Sequence, residues 1–147
     1  MIITNTKKFD FENLFIFEMA NNHQGSLQHG INIIRAMGEI AGRQGIRAAM
    51  KLQFRDLDTF IHPDFKNAKD VKHIPRFLST RLTGEEFATL VAETKKQGMI
   101  TMVTPFDETS VDRIVRLGVD VIKIGSCSAQ DWPLLEKVAL TGKPVIC

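Results

Sequence analysis

Several features that would identify other classes of protein are scarce or missing in this sequence. Only two cysteines occur, Cys127 and Cys147, with no CxxC pair and no metal-type spacing. This argues against a disulfide framework and predicts a reducing compartment, the cytoplasm. No apolar run approaches the roughly 20 residues of a membrane helix, and Met1–Phe11 lacks the apolar stretch of a signal peptide. The net charge of only +2 argues against a nucleic-acid-binding surface.

What the sequence does contain is a regular alternation of short apolar runs and longer amphipathic stretches. Leu14–Phe17 predicts a strand buried on both faces, and Ser26 is a suitable N-cap for a helix that runs from Leu27 to Gln44. Further strands are predicted over Ile46–Phe54, Met99–Thr104 and Val119–Ile124 and from Pro144, and further helices after the caps Thr83, Asp107 and Asp131. Such alternation is typical of parallel strands joined by helical crossovers.

Two folds share this alternation, the closed eight-stranded barrel and the open doubly wound sheet. The glycine-rich GxGxxG loop that would favour a dinucleotide-binding open sheet does not follow the first strand. Polar residues instead stand near the carboxyl ends of several strands, as in barrel active sites. We therefore expect an α/β fold of the parallel (β/α)8 type. Since a full barrel takes roughly 250 residues, residues 1–147 are expected to be its N-terminal part, with about four and a half β/α units.

Lys51 and Lys123 are the most informative pair of residues. Each lies inside an apolar strand, where an ammonium group must be paired or change its pKa. In a parallel barrel both would point inward near the carboxyl end, and two cations there suit a phosphate or a carboxylate. The alternative is a structural ion pair, for which Glu18 is available.

Four other polar residues belong to the same group. Glu18 could balance a lysine, accept a sugar hydroxyl or act as a general base. Gln53 follows Lys51 by two residues and so faces the same side of its strand. Thr104 and Ser126 are expected to end the third and fourth strands, where each could donate to an anion or simply cap a helix.

Two remaining features are less specific. The connection Arg55–Arg81 is long for a compact domain, which fits either a functional lid or a solvated, charged flap. The histidines, including His23 in the first loop, have no ligand spacing, so no metal site is predicted from these residues.

Five sequence motifs in consecutive order resemble the sialic acid synthase (N-acetylneuraminate synthase) family. The resemblance runs from about Phe15 to the end of the chain. The motifs are Phe-Glu-Met-Ala-Asn-Asn-His-Gln-Gly-Ser (residues 17–26), Met-Lys-Leu-Gln (50–53), Val-Thr-Pro-Phe-Asp (103–107), Ile-Lys-Ile-Gly-Ser with Trp-Pro-Leu-Leu (122–126 and 132–135), and Gly-Lys-Pro-Val-Ile (142–146). Each motif alone is weak, but together and in this order they are specific.

This resemblance implies a barrel enzyme that condenses phosphoenolpyruvate with an N-acylated amino-sugar aldehyde and releases phosphate. By motif, Lys51 and Lys123 would bind the phosphate and carboxylate, with Thr104 and Ser126 assisting. Gln53 would lie at the junction with the sugar, and Glu18 near the reacting centre. The resemblance further implies a homodimer and a divalent metal, manganese or magnesium, in the full-length enzyme, with histidine ligands beyond Cys147.

One departure from the family pattern concerns the sugar. Members that make sialic acid carry a glutamate two residues after the serine of the fourth-strand motif, where this sequence has Ser128. The resemblance therefore leaves the amino sugar open. Two other functions also remain: another phosphoenolpyruvate aldol-type synthase, related to the octulosonate phosphate synthases, and a non-catalytic barrel protein that binds sugar phosphates.

Overall fold

In the part of the chain that the structure describes, five parallel strands form a single sheet in which every strand lies beside its neighbours in the sequence. The computed structural model describes residues 8–68 and 70–147, so Met1–Lys7 of the N-terminal segment and Lys69 of the long connection lie outside it. The sheet order is β1-β2-β3-β4-β5, without the reversal of strand order that marks a switch point. The strands are β1 (Phe15–Ala20), β2 (Ala48–Phe54), β3 (Ile100–Pro105), β4 (Val121–Lys123) and β5 (Val145–Ile146). The predicted parallel α/β architecture is confirmed.

Helices join the strands, and the four longer ones begin at the capping residues that the sequence indicated. The helices are α1 (Leu27–Gln44), α2 (Leu57–Phe60), α3 (Ile74–Ser79), α4 (Gly84–Lys96), α5 (Glu108–Arg116) and α6 (Trp132–Leu140). The Ser26 hydroxyl accepts from the His29 amide, and Thr83 forms the predicted reciprocal capping box with Glu86. Asp107 and Asp131 likewise accept from amides in the first turns of α5 and α6. No helix among residues 8–68 and 70–147 is long and apolar enough to cross a membrane.

The two faces of the sheet are covered differently. One face packs on the helices, and its buried core includes Met50, Leu52, Val103 and Ile122. The opposite face carries a smaller buried cluster of Ala49, Met102 and Val121, with Leu14 and Ile146 packed against it. Because side chains alternate along a strand, this second face also bears the polar residues that follow Ala49 in β2.

The predicted burial of the first strand on both faces is wrong for the described chain. Phe15 is 54% and Ile16 is 42% exposed. β1 lies at the edge of the sheet and pairs only with β2 within the described residues, so an apolar sequence here does not bring burial.

The connection between β2 and α4, residues 55–81 and hereafter the flap segment, is not an unstructured loop. It contains α2, a 3₁₀ turn over Pro63–Phe65, and α3. Leu57, Ile61 and Ile74 form a small buried cluster of their own. The backbone amide of Asp56 donates a hydrogen bond of 2.9 Å to the Asp107 carboxylate. This bond connects the start of the segment to the residues after β3. The flap segment is therefore folded and attached to the carboxyl edge of the sheet.

Candidate functional site

Lys51 and Glu18 form an ion pair across the first two strands. They are Cα partners in the register of β1 and β2, and the Lys51 ammonium contacts the Glu18 carboxylate. Lys51 is only 8% exposed, whereas 46% of the Glu18 side chain is accessible. The structure thus shows the ion pair that the sequence allowed. Whether Lys51 also binds an anion stays a prediction.

The strand register places Lys123 on the same face of the sheet as Lys51. Lys51 pairs with Met102 of β3, and Met102 pairs with Val121 of β4. Lys123 follows Val121 by two residues, so alternation turns it to the same side. The two lysines therefore lie on one face, as predicted. That they share one cavity stays a prediction.

Gln53 and Thr104 pair with each other on the sheet face that carries Lys51 and Lys123. They are Cα partners in β2 and β3. The Thr104 hydroxyl is buried and has no hydrogen-bond partner among the described residues. A buried hydroxyl without a hydrogen-bond partner costs free energy. The Thr104 hydroxyl could recover that free energy by donating to an oxygen atom of a bound molecule.

Ser126 lies beyond the fourth strand and not at its end. β4 stops at Lys123, and Ser126 opens an exposed 3₁₀ turn over residues 126–128, after the buried Gly125. The predicted position of Ser126 as a strand-end residue is corrected accordingly. Ser128, at the position where the sequence departs from the family pattern, is buried in the same turn.

The sequence reasoning missed Arg55, the first residue of the flap segment. Its guanidinium lies over the rings of Phe106 and Phe77, at 3.7 and 4.5 Å from their centroids, and donates to the side-chain carbonyl of Gln53 at 3.2 Å. Burial lowers the pKa of Arg55. One signal was present in the sequence: Lys51, Gln53 and Arg55 are spaced by two, which continues the polar face of β2 past the end of the strand.

His23 is buried beside this region and holds the loop after β1. Its Nδ1 accepts from the Gly25 amide at 3.1 Å. Its pKa is lowered first by burial and then by the neighbouring His29, with Glu86 opposing. The lowered pKa favours the neutral imidazole, whose Nδ1 can accept this hydrogen bond and hold the loop.

A polar cavity lies between this loop, the end of β2 and the flap segment. Polar residues that line it include Asn21, His23, Gln53, Arg55 and Thr80. Neither Lys51 nor Lys123 lines this cavity, so it adjoins the lysine-bearing face at Gln53. Among residues 8–68 and 70–147, no group of three histidine, cysteine, aspartate or glutamate side chains is placed to hold a metal ion.

Two curated proteins are similar to this chain in sequence. The chain resembles an uncharacterized protein, MJ1065, of Methanocaldococcus jannaschii, with 33% identity over 131 residues, and the N,N'-diacetyllegionaminic acid synthase of Campylobacter jejuni, with 27% identity over 140 residues. These matches cover 89% and 90% of this chain but only 36% and 41% of the relatives. The chain thus spans about two fifths of the length of the relatives it matches.

Solved structures show the same relationship. A candidate spore coat polysaccharide biosynthesis protein E from Chromobacterium violaceum has 53% identity and a TM-score of 0.86 over 91% of this chain and 40% of its own. An N-acetylneuraminic acid synthetase from Leptospira borgpetersenii shares the fold at 22% identity, with a TM-score of 0.74 over 90% of this chain and 42% of its own. The NeuB family model matches residues 39–147, about three quarters of the sequence. The chain therefore belongs to the NeuB family.

Proposed function

We propose that the protein condenses phosphoenolpyruvate with an N-acylated amino-sugar aldehyde to give a sialic-acid-like nonulosonate and phosphate. Membership of the NeuB family and the likeness to a diacetyllegionaminic acid synthase support the reaction class. The observation that carries the proposal is the nearly buried Lys51 on the sheet face that also bears Lys123. Two cations on one face near the carboxyl ends of parallel strands suit a substrate with a phosphate and a carboxylate.

The same proposal includes a closed (β/α)8 barrel in the full-length protein. Each of the five strands lies beside its sequence neighbours, and all run parallel, which is the arrangement a barrel needs. β1 exposes Phe15 and Ile16, apolar side chains that a further strand or layer would cover. On this view residues 1–147 supply the N-terminal part of the barrel. Two such chains in a homodimer are a further part of the proposal.

The residues of the site have distinct roles in the proposed reaction. Lys51 and Lys123 bind the phosphate and carboxylate of phosphoenolpyruvate, and Thr104 and Ser126 donate hydrogen bonds to them. An anion at Lys51 competes with Glu18 for the ammonium group and so releases the Glu18 carboxylate. Glu18 is then free to accept a proton as a general base.

The reaction forms one carbon–carbon bond and one carbon–oxygen bond, and it breaks one carbon–oxygen bond. The methylene carbon of phosphoenolpyruvate attacks the aldehyde carbon, and the aldehyde oxygen takes up a proton. Water adds to the cationic second carbon and gives its proton to Glu18. Phosphate then leaves with the bridging oxygen while the added hydroxyl loses its proton, which leaves the keto group. The proton that the hydroxyl loses balances the one that the aldehyde oxygen takes up.

The divalent metal, manganese or magnesium, remains a prediction for the full-length enzyme. Described residues of this chain form no cluster that fits such an ion. The roles proposed for Glu18, Lys51 and Lys123 do not depend on contact with the metal ion.

Phosphate release by the purified full-length protein tests the proposal. We expect release only when phosphoenolpyruvate and an N-acylated amino sugar are both present, with a product of the summed mass minus phosphate plus water. In ¹⁸O-labelled water the label should enter the sugar acid and not the phosphate, because the carbon–oxygen bond breaks. Release that requires a sugar phosphate in place of the amino sugar would favour the octulosonate-type alternative. Binding of both ligands without turnover would favour the non-catalytic alternative.

A further inference from the structure

Arg55 is a half-buried cation held by aromatic rings from two parts of the fold. Its guanidinium carbon lies 3.7 Å from the ring centroid of Phe106, which follows β3. The rings of Phe77 in α3 and Phe60 in α2 lie at 4.5 and 6.0 Å. Planar guanidinium groups stack well on aromatic faces. The sheet edge and the flap segment therefore fix the Arg55 side chain together.

This cation has little compensation from the protein. No carboxylate of the described residues lies within 4.0 Å of its nitrogens. Burial lowers the Arg55 pKa, and the nearby Cys127 and then Asp107 oppose that lowering. The Arg55 Nε–H is buried and finds no acceptor among residues 8–68 and 70–147. The guanidinium donates one side-chain hydrogen bond among the described residues, from Nη2 to the Oε1 of Gln53 at 3.2 Å.

The contact determines how the Gln53 amide is oriented. A guanidinium group has donors only, so the Gln53 atom that meets it must be the carbonyl oxygen. The amide nitrogen of Gln53 is then turned away from Arg55. It has no acceptor among the described side chains, and Gln53 lines the polar cavity beside the lysine-bearing face. The Gln53 N–H is therefore free to donate to an oxygen atom of a bound molecule.

We propose that Arg55 is a positioning residue that holds Gln53 as a hydrogen-bond donor, so that the site selects an oxygen acceptor of the sugar at this point. This inference rests on the proposed function for the identity of the ligand, a neutral carbonyl or hydroxyl oxygen of the amino sugar. A group that only donates, such as an ammonium, would meet the Gln53 N–H and the nearby guanidinium and be rejected. The selectivity arises because Arg55 itself is locked by the three phenylalanine rings.

The test compares steady-state constants of the full-length protein for the two substrates. In Arg55→Met the amide of Gln53 is free to rotate, and in Gln53→Glu the donor is lost while an acceptor for Arg55 remains. Each variant should raise KM for the N-acylated amino sugar by about tenfold, the effect of one hydrogen bond, with far less change in KM for phosphoenolpyruvate. The double variant should show no more than the larger single effect, because both changes remove the same contact. Arg76→Met, an exposed arginine of α3, is the matched control and should leave both constants unchanged.

A purely structural Arg55 would behave differently in these measurements. It would lower the melting temperature without changing KM for the sugar, or its effect would add to that of Gln53→Glu, and either result overturns the inference. Thermal melts separate this outcome from failure of the proposed function. Gln53→Glu supplies a carboxylate to a half-buried cation and should melt no lower than the wild type, whereas Gln53→Leu should melt lower. A wild type without synthase activity refutes the proposed function and the sugar assignment, while a less stable Gln53→Glu refutes the Arg55 contact itself.

Discussion

Glu18 and Lys51 are Cα partners in the strand register and form an ion pair, but they are buried to very different degrees. Lys51 is almost inaccessible, while nearly half of the Glu18 side chain meets solvent. Water can stabilise the carboxylate without its partner, but the ammonium depends on Glu18 for compensation. The two members of the pair should therefore respond differently to substitution.

We expect Glu18→Gln to lower the free energy of unfolding by about 1–3 kcal/mol, because it leaves a buried ammonium unpaired. Lys51→Met removes the buried charge and leaves a carboxylate that water can solvate. It should change stability by less than about 1 kcal/mol or raise it. Chemical denaturation of the full-length protein measures both values, with Glu136→Gln in an exposed part of α6 as the control. Equal losses in the two variants would show that the asymmetry in burial has no energetic consequence.

Lys51→Met, which should cost little stability, should weaken the binding of phosphoenolpyruvate. If Lys51 and Lys123 each contact an oxygen of phosphoenolpyruvate, replacing either by Met should cost about 1.5–3 kcal/mol, or roughly one to two decades in affinity. Lys72→Met changes an exposed cation of the flap segment and should have little effect. Calorimetric titration of phosphoenolpyruvate into the three variants measures this. Three equal affinities would mean that the strand lysines are structural.

The starts of the long helices could be predicted because capping is a local interaction. Ser26, Thr83, Asp107 and Asp131 each accept from an amide three residues ahead, so the signal lies within one short stretch of sequence. Strand ends were less well defined. The predicted β4 over Val119–Ile124 is observed as Val121–Lys123, since pairing with neighbouring strands decides where a strand stops.

The helices of the flap segment could not be predicted in the same way. α2 has four residues and α3 has six, and neither Asp56 nor His73 makes a side-chain cap. Such short helices are held by tertiary packing, here the cluster around Leu57, Ile61 and Ile74. The contact of Arg55 with the Phe106 ring could not be predicted for a related reason, because the two residues are far apart in the sequence. The pairing of Glu18 with Lys51 could be given from the sequence as an alternative to an anion site, because an ammonium group inside an apolar strand needs a partner.

Gly25 lies where the first loop approaches the end of α3. It has a φ of +76°, and a Cβ added to it would lie 2.6 Å from the Ser79 carbonyl oxygen. We expect Gly25→Ala to destabilise the protein by about 1–3 kcal/mol, from backbone strain and from this clash. Gly45→Ala is the matched control, since Gly45 also has a positive φ but no atom within 4 Å of the added Cβ. Chemical denaturation should give a larger loss for Gly25→Ala, and equal losses would mean that the loop moves away from α3 at no cost.

The last prediction concerns the pH dependence of stability that arises from His23. Burial and His29 lower the pKa of His23 below its usual value of 6.5, against the opposing effect of Glu86. The unfolded chain therefore binds a proton at a higher pH than the folded chain does. His23 contributes stability above its unfolded pKa, and this contribution is lost as the pH falls toward the folded pKa.

We expect the unfolding free energy of the wild type to decrease from about pH 8 to about pH 5.5 more steeply than that of His23→Asn. The Asn oxygen can still accept from the Gly25 amide, as Nδ1 of His23 does in the wild type, but Asn carries no titrating group. Any constant loss from the smaller side chain cancels in the slope, and the other titratable groups are common to both proteins. The difference between the two pH profiles, measured by denaturation at each pH, therefore isolates His23. Parallel profiles over this range would show that the folded protein binds a proton at His23 as readily as the unfolded chain does, and that the imidazole is not held neutral.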